Sequence, residues 1–207
     1  LFSHSYYQLH GDFVKATNLM SGLARSDQDV EIGTRIAHLH RAVASAEKAV
    51  ACGTSAAECQ RMSEALLDLK DTLDIALYQQ QALAKLAEEF AGYNYTSSSN
   101  RNRYSEGQRR SLDLMEEAVR RSRFLLLPIT DLFHDICLPY KLWDLCLLIL
   151  HVSKHEDGDL VAKLWRSLIY RYARTWACHI VAFSHLHSVF LSFWGVELCL
   201  RSARARR

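Results

Sequence analysis

The chain has 207 residues, of which 49% are hydrophobic and 23% charged, with a formal net charge of +2. This length and composition suit one globular domain or a run of stacked helical hairpins, and they exclude a chain that is disordered throughout. Eight glycines and two prolines leave few places for tight turns, so the sequence predicts long helices rather than a β-sandwich.

The cysteines and the first residue bear on the compartment and on the limits of the chain. The six cysteines form no CxxC pair, which zinc ribbons and thioredoxin-like sites require. Most of them occupy apolar helical positions, where a free thiol acts as a small hydrophobe, so a reducing compartment is expected. The chain begins with Leu1 and has no signal-peptide pattern. We therefore expect it to be a fragment of a longer protein.

Residues 1–92 predict helical hairpins that include one long helix. Gly11 and Asp12 suit a helix end followed by the cap of the next helix, which precedes a further helix over residues 31–51. A capping box at Ser55 and Glu58 begins the longest helix, predicted from about residue 56 to 91. Its apolar stripe comprises Met62, Leu66, Leu69, Leu73, Ala76, Gln80, Leu83, Leu86 and Phe90. Leucines on flanking faces favour an antiparallel stack over a dimeric coiled coil.

Residues 93–107 are rich in Ser, Asn and Arg without periodicity, and they predict a flexible polar and basic loop. Between residues 101 and 123 there are seven arginines against four acids, with Tyr104 among them. An RNA-binding helical module using this loop is one alternative function. A solvated helix face beside a flexible loop is the favoured interpretation, so no specific nucleic acid is predicted as a partner.

Residues 108–171 predict a kinked segment of a helical stack. Pro128 and Pro139 stand just before and inside the stretch 131–150, and each should end or bend a helix. Apolar positions then recur at helical spacing, which indicates a buried helix–kink–helix unit. The predicted structural core or motif residues are Leu132, Phe133, Pro139, Tyr140, Leu142, Trp143, Cys146 and Trp165. If Trp143 is fully buried, Trp143→Ala should cost ~3–5 kcal/mol.

Residues 172–207 predict an apolar helix with a basic tail. The stretch 176–200 is long enough to cross a bilayer and is followed by RSARARR. Four residues within it are costly in hydrocarbon, namely His179, His185, His187 and Glu197. A buried or interfacial helix is therefore favoured, and a membrane-associated helical protein using residues 176–207 is the second alternative function.

The sequence contains no motif that carries chemistry, such as a Gly-rich phosphate loop, HExxH or GxSxG. His151 and His155 have a spacing that can bind a metal, but no third ligand follows from it. Neighbouring residues diverge by about 100° on a helix, which spoils a dyad of His134 or Asp135 with Cys137. We predict no enzyme activity, no cofactor, no metal site and no small-molecule substrate.

Four stretches together carry a family resemblance. The main stretch comprises Asp131-Leu132-Phe133, Asp135, Pro139-Tyr140, Leu142-Trp143-Asp144 and Cys146-Leu147. The others are residues 6–24, residues 68–73 and Leu164-Trp165, and all of them follow the order found in the family. They resemble the C-terminal α-solenoid of the nucleoporin 155 family, large scaffold nucleoporins of the nuclear pore inner ring. The likeness covers about residues 6–171, and the apolar segment beyond departs from the family pattern.

The resemblance implies an all-α, irregular solenoid of stacked antiparallel helical hairpins. It also implies a structural scaffold at the nuclear pore complex and nuclear envelope that supports nucleocytoplasmic transport. The implied partners are other inner-ring scaffold nucleoporins, with contact to the nuclear-envelope membrane as a further expectation. The family has no catalytic residues that could be transferred to this chain.

Overall fold

The computed structural model describes residues 2–53, 55–97, 105–154 and 157–175, and every regular element in these ranges is helical. The elements are α1 (Phe2–Leu9), α2 (Phe13–Ala24), α3 (Ile32–Cys52), α4 (Ala56–Ser97), α5 (Glu106–Phe124), α6 (Ile129–Asp131), a π-helix (Leu132–Cys137), α7 (Trp143–Val152) and α8 (Gly158–Thr175). The chain forms two compact units, which divide after residue 155, so that α8 belongs to the second unit. The prediction for residues 172–207 lies almost wholly outside the described residues.

The turns between the first four helices follow from a few local residues. Gly11 adopts a left-handed conformation with φ of 72°, which an L side chain rarely adopts, and it ends the first hairpin turn. The Asp12 carboxylate accepts a hydrogen bond from the Lys15 N–H at 3.2 Å and so caps α2. At the end of α3, a Cβ on Gly53 would overlap the Cys59 sulfur, so a larger residue at this turn would force the Cys59 side chain to move.

The helices α2, α3 and α4 form the apolar stack of the first unit. The connections between them are short and each helix packs on the next, so that neighbouring helices run antiparallel. The core consists of Met20, Ala24, Ile32, Ile36, Leu39, Ala42, Ala46, Ala49, Met62, Leu69, Leu73 and Ala76. The five alanines of this core let the helix axes approach closely while long side chains fill the remaining space.

Helix α4 differs from its prediction in length and in one position of its buried stripe. It continues through Gly92 to Ser97, because one glycine inside a long helix costs only about 1 kcal/mol relative to alanine. Gln80 is exposed, whereas its neighbour Gln79 is fully buried. The helical period of 3.6 residues allows either position to follow Ala76, and Gln79 is the one that finds hydrogen-bond partners.

The two prolines mark the least regular part of the first unit. Helix α5 ends at Phe124, and Pro128 precedes the short helix α6, which continues directly into the π-helix. The Leu138 N–H donates to the Phe133 carbonyl at 2.9 Å, a spacing of five residues that makes a wider turn than an α-helix. The chain then turns through Lys141, which has a φ of 57°, before α7 begins.

Candidate interaction site

We use the name α5–α7 junction for residues 122–146, which contain the end of α5, both prolines and the start of α7. The end of α5 is fixed by Gln79 of α4, whose side-chain amide donates to the carbonyls of Ser122, at 2.9 Å, and Leu125. Its amide oxygen accepts from the Leu127 N–H at 3.0 Å. The chain can therefore leave the helix without losing the hydrogen bonds of its buried backbone.

Arg35 of α3 reaches the same end of α5 from the other side and is only 2% exposed. Its guanidinium donates to five carbonyl oxygens: Val30 and Phe124 at 3.0 Å, Ala24 at 2.6 Å, Ser26 at 2.8 Å and Gln28 at 2.7 Å. Burial lowers the pKa of Arg35, but a guanidinium stays charged at neutral pH. This single side chain joins the α2–α3 loop to the C-terminal end of α5, where the carbonyls carry partial negative charge.

The turn at Pro139 brings two cysteines together. The Leu142 N–H donates to the Cys137 carbonyl at 2.9 Å, and the Leu142 carbonyl accepts from the Cys146 N–H at 2.9 Å. Both cysteines are fully buried. A hydrogen bond with the Cys146 thiol, together with burial, raises the pKa of Cys137. The Cys137 sulfur therefore remains protonated, and both buried side chains pack as small apolar groups.

Two ion pairs connect the junction to the longer helices. Arg121 of α5 lies 3.2 Å from the carboxylate of Asp135 in the π-helix. Lys85 of α4 pairs with Asp144 in the first turn of α7. All four side chains are partly exposed, so each pair contributes only about 0–1 kcal/mol. Their effect is to fix the position of the π-helix and α7 against the long helices.

The predicted core or motif residues divide by burial. Leu132, Phe133, Leu142 and Cys146 are buried, Tyr140, Trp143 and Trp165 are half-buried, and Pro139 is exposed. Burial raises the pKa of Tyr140. The junction therefore contains all of these residues except Trp165, which lies in α8 of the second unit.

Sequence reasoning missed Arg35 and Gln79, although both left a signal. Each is a polar residue at a position where helical spacing expects an apolar one: Arg35 follows Ile32 by three residues, and Gln79 follows Ala76 by three. A polar side chain within an apolar stripe must satisfy its hydrogen bonds internally once it is buried. The missing information was the identity of the partners, which are backbone groups up to 89 residues away in sequence.

The surface of the first unit carries two concave regions. A groove of about 380 Å³ lies between α4 and α5 and is lined by Ala87, Glu116, Val119, Arg120, Arg123 and Phe124. A second, of about 340 Å³, lies at the α1–α2 and α3–α4 turns, beside Phe13 and Gly53. Within the described ranges, no group of three or more His, Cys, Asp or Glu residues is arranged to hold a metal ion, and His155 lies outside these ranges. None of the described helices is long and apolar enough to cross a membrane.

Antiparallel helical hairpins stacked without a fixed repeat, with grooves between neighbouring helices, define the class of irregular α-helical solenoids. Residues 3–179 match the family described as the non-repetitive/WGA-negative nucleoporin C-terminal region. The chain belongs to this nucleoporin family, and the predicted family resemblance is confirmed.

Two curated relatives show the same relationship. The chain is 26% identical to the nuclear pore complex protein Nup154 of Drosophila melanogaster over 169 residues, which cover 79% of this chain and 10% of the relative. It is 25% identical to the nucleoporin NUP170 of Chaetomium thermophilum over 164 residues, again 79% of this chain and 10% of the relative. The chain thus spans about a tenth of the length of these relatives.

Solved structures of the Chaetomium thermophilum protein share the fold. The Nup170 CTD superimposes with a TM-score of 0.61 at 23% identity, covering 81% of this chain and 26% of that one. The structure described as Nup170 SOL also gives 0.61, at 22% identity, covering 94% of this chain and 22% of that one. The prediction of an all-α, irregular solenoid is therefore confirmed.

Proposed function

We propose that this chain is a stretch of structural scaffold in the inner ring of the nuclear pore complex, at the nuclear envelope, where it supports nucleocytoplasmic transport. The family match over residues 3–179 carries this proposal, because it includes the α2–α4 stack, the α5–α7 junction and α8. The relatives that are named as nuclear pore proteins support the same assignment.

The mechanism is surface presentation by a stack of fixed shape. Arg35 and Gln79 fix the end of α5 relative to α3 and α4, so the surface between these helices keeps its form. Apolar side chains such as Leu67 and Leu114, which are 64% and 67% exposed, are candidate anchors for partner proteins. A few such anchors supply most of the affinity of a protein interface.

The proposed partners are other nucleoporins. The Nup170 CTD of Chaetomium thermophilum has been crystallised in a complex with Nup145N, and it is 24% identical to this chain in an alignment that covers 81% of this chain and 28% of that one. We extend this kind of interaction, a solenoid surface that receives a segment of another nucleoporin, to the present chain. We propose no catalytic activity and no cofactor, since the two cysteines of the junction are buried and the carboxylates of Asp135 and Asp144 form ion pairs.

The experiment is affinity capture of the tagged 207-residue chain from cells, combined with imaging at the nuclear envelope. The expected result is rim staining and co-purification of inner-ring nucleoporins under mild conditions. Leu67→Asp and Leu114→Asp change exposed anchors, whereas Ser111→Asp changes an exposed polar residue of α5 and is the matched control. The proposal would be refuted if the chain gave no rim staining and captured no nucleoporin.

A further inference from the structure

The groove between α4 and α5, hereafter the α4–α5 groove, combines an apolar lining with charged residues at its edge. We propose that the α4–α5 groove binds a short acidic segment of a partner protein, which inserts one large apolar side chain and places a carboxylate beside Arg123. The inference rests on the proposed scaffold function and names the binding surface and the chemistry of one partner.

The apolar part of the groove is suited to a single anchor. Ala87 of α4 faces Val119 and Phe124 of α5, and all three side chains are only half-buried in the free chain. A volume of about 380 Å³ lies at the small end of the range for ligand pockets, which suits one or two side chains rather than a whole helix. Covering this apolar surface is favourable, because it removes the surface from water.

The charges of the groove favour an acidic occupant. Arg120 is already paired with Glu117 through contacts of 2.8 and 2.7 Å. Arg123 is exposed and forms no hydrogen bond or ion pair with any residue in the described part of the chain, so its positive charge is uncompensated. Glu116 lies one helical turn before Arg120 and repels a carboxylate there. The partner carboxylate must therefore lie at the Arg123 end of the groove.

The same charges disfavour a nucleic acid as the occupant. Affinity for a polyphosphate grows with the number of phosphates that Lys and Arg neutralise, and this groove offers only Arg123 as an uncompensated arginine, with the acidic Glu116 at its other end. A guanidinium can instead bind a single carboxylate through two parallel hydrogen bonds. A protein segment with one well-placed acid matches this arrangement better than RNA does.

The test measures the binding of fluorescein-labelled 15-residue peptides to the full 207-residue chain by fluorescence anisotropy. One peptide carries a central Leu-Phe pair flanked by Asp and Glu, a second has Lys in the flanks, and a third keeps the acids but has Ala-Ala at the centre. The first peptide should bind saturably. The other two should bind with an affinity that is lower by at least about tenfold. A photo-crosslinker at the Phe position should label residues 119–124.

Arg123→Glu in the protein should lower the affinity for the acidic peptide by about tenfold. Arg109→Glu reverses an exposed charge about 21 Å away on the same helix and should leave binding unchanged. Unchanged melting temperatures show that both variants are folded. The inference would be overturned if the acidic Leu-Phe peptide did not bind, or if the Ala-Ala peptide bound equally well. It would also be overturned if Arg123→Glu and Arg109→Glu lost the same affinity, or if poly-U RNA at matched charge displaced the peptide. If the chain still captured nucleoporins from cells in any of these cases, only the binding of an acidic segment by the groove would be refuted. The proposed scaffold function would stand.

Discussion

The α2–α4 stack and the α5–α7 junction lie side by side but are stabilised in different ways. In the stack, apolar residues recur at helical spacing and interlock, so the backbone stays regular and its hydrogen bonds remain inside each helix. In the junction, the backbone leaves α-helical geometry twice, and buried polar side chains from α3 and α4 satisfy the groups that are released. Regular packing tolerates many sequences, whereas an irregular junction depends on a few specific side chains.

Arg35→Met gives the largest expected effect, because it removes five hydrogen bonds at one buried site. Several carbonyl oxygens would remain buried without donors, so the free energy of unfolding should fall by about 4 kcal/mol. Urea denaturation followed by circular dichroism measures this change. Arg41→Met, at an exposed position of the same helix, is the control and should change stability by less than about 0.5 kcal/mol. Equal stability of both variants would contradict the assigned role of Arg35.

Gln79→Leu should cost about 2 kcal/mol, because the Leu127 N–H and two carbonyls lose their buried partner while the side-chain volume is nearly conserved. Hydrogen exchange adds a local measurement, since the amide of Leu127 should lose its protection while the amides of α3 keep theirs. Gln80→Leu changes the exposed neighbour and should leave both measurements unchanged. Protection of Leu127 in the Gln79 variant would show that the junction is fixed by other contacts.

Trp143→Ala tests whether this junction residue contributes less to stability than a fully buried core residue would. A completely buried tryptophan costs ~3–5 kcal/mol on truncation, but Trp143 is half-buried at the start of α7, so we expect about 2 kcal/mol. Thermal unfolding measures the loss, and Trp143→Phe should recover most of it. A loss above about 4 kcal/mol would mean that the side chain is more completely buried than the structure shows.

The smallest expected effect concerns pH and belongs to the contact of α1 with α3. Burial, followed by the nearby Arg41, lowers the pKa of both His4 and His38. His4 lies 3.2 Å from the Ser45 hydroxyl, whereas the buried Nδ1 of His38 has no hydrogen-bond partner among the residues that the structure describes. Lys48 also faces His4, and Arg35 faces His38.

Because the folded pKa lies below the unfolded value of about 6.5, protonation favours the unfolded state. Stability should be constant above pH ~6.5 and decrease as the pH falls below it. Urea denaturation at pH 7.5 and at pH 5.5 checks this, and the decrease should be smaller in His4→Gln than in the parent protein. His40→Gln, at an exposed position, should show the full decrease.

Much of this fold could be predicted from the sequence, and the reasons differ between the two regions. Gly11 and Asp12 marked a turn because local backbone geometry depends on single residues. The apolar stripes predicted the stack because helical spacing alone decides which side chains face inward. The π-helix could not be predicted, since its apolar residues also fit an ordinary α-helix. The roles of Arg35 and Gln79 required knowing which distant carbonyls lie beside them.

The candidate site was predictable to a smaller extent. The sequence predicted a helix–kink–helix unit over residues 131–150, because proline acts on the backbone within one turn, and the structure has the π-helix, a turn and α7 in this stretch. Pro139 itself is exposed, and Trp143 is only half-buried, because burial depends on which neighbouring helix covers each face. The α4–α5 groove left no pattern in the sequence, since its lining comes from two separate helices and helical spacing within each does not show how they pack together.

The π-helix has a consequence for which changes of length the chain can accept. A π-turn corresponds to one residue inserted into an α-helix, and here two adjacent pairs, Leu132-Phe133 and Ile136-Cys137, all face inward. Deleting the exposed His134 would therefore convert this turn to an α-helical one and leave the residues after it close to their present faces. A deletion of one residue inside α3, which is α-helical throughout, would rotate every later residue of that helix by about 100° and turn its buried face away from α2 and α4. The π-helix is thus a place where the chain can accept a change of length.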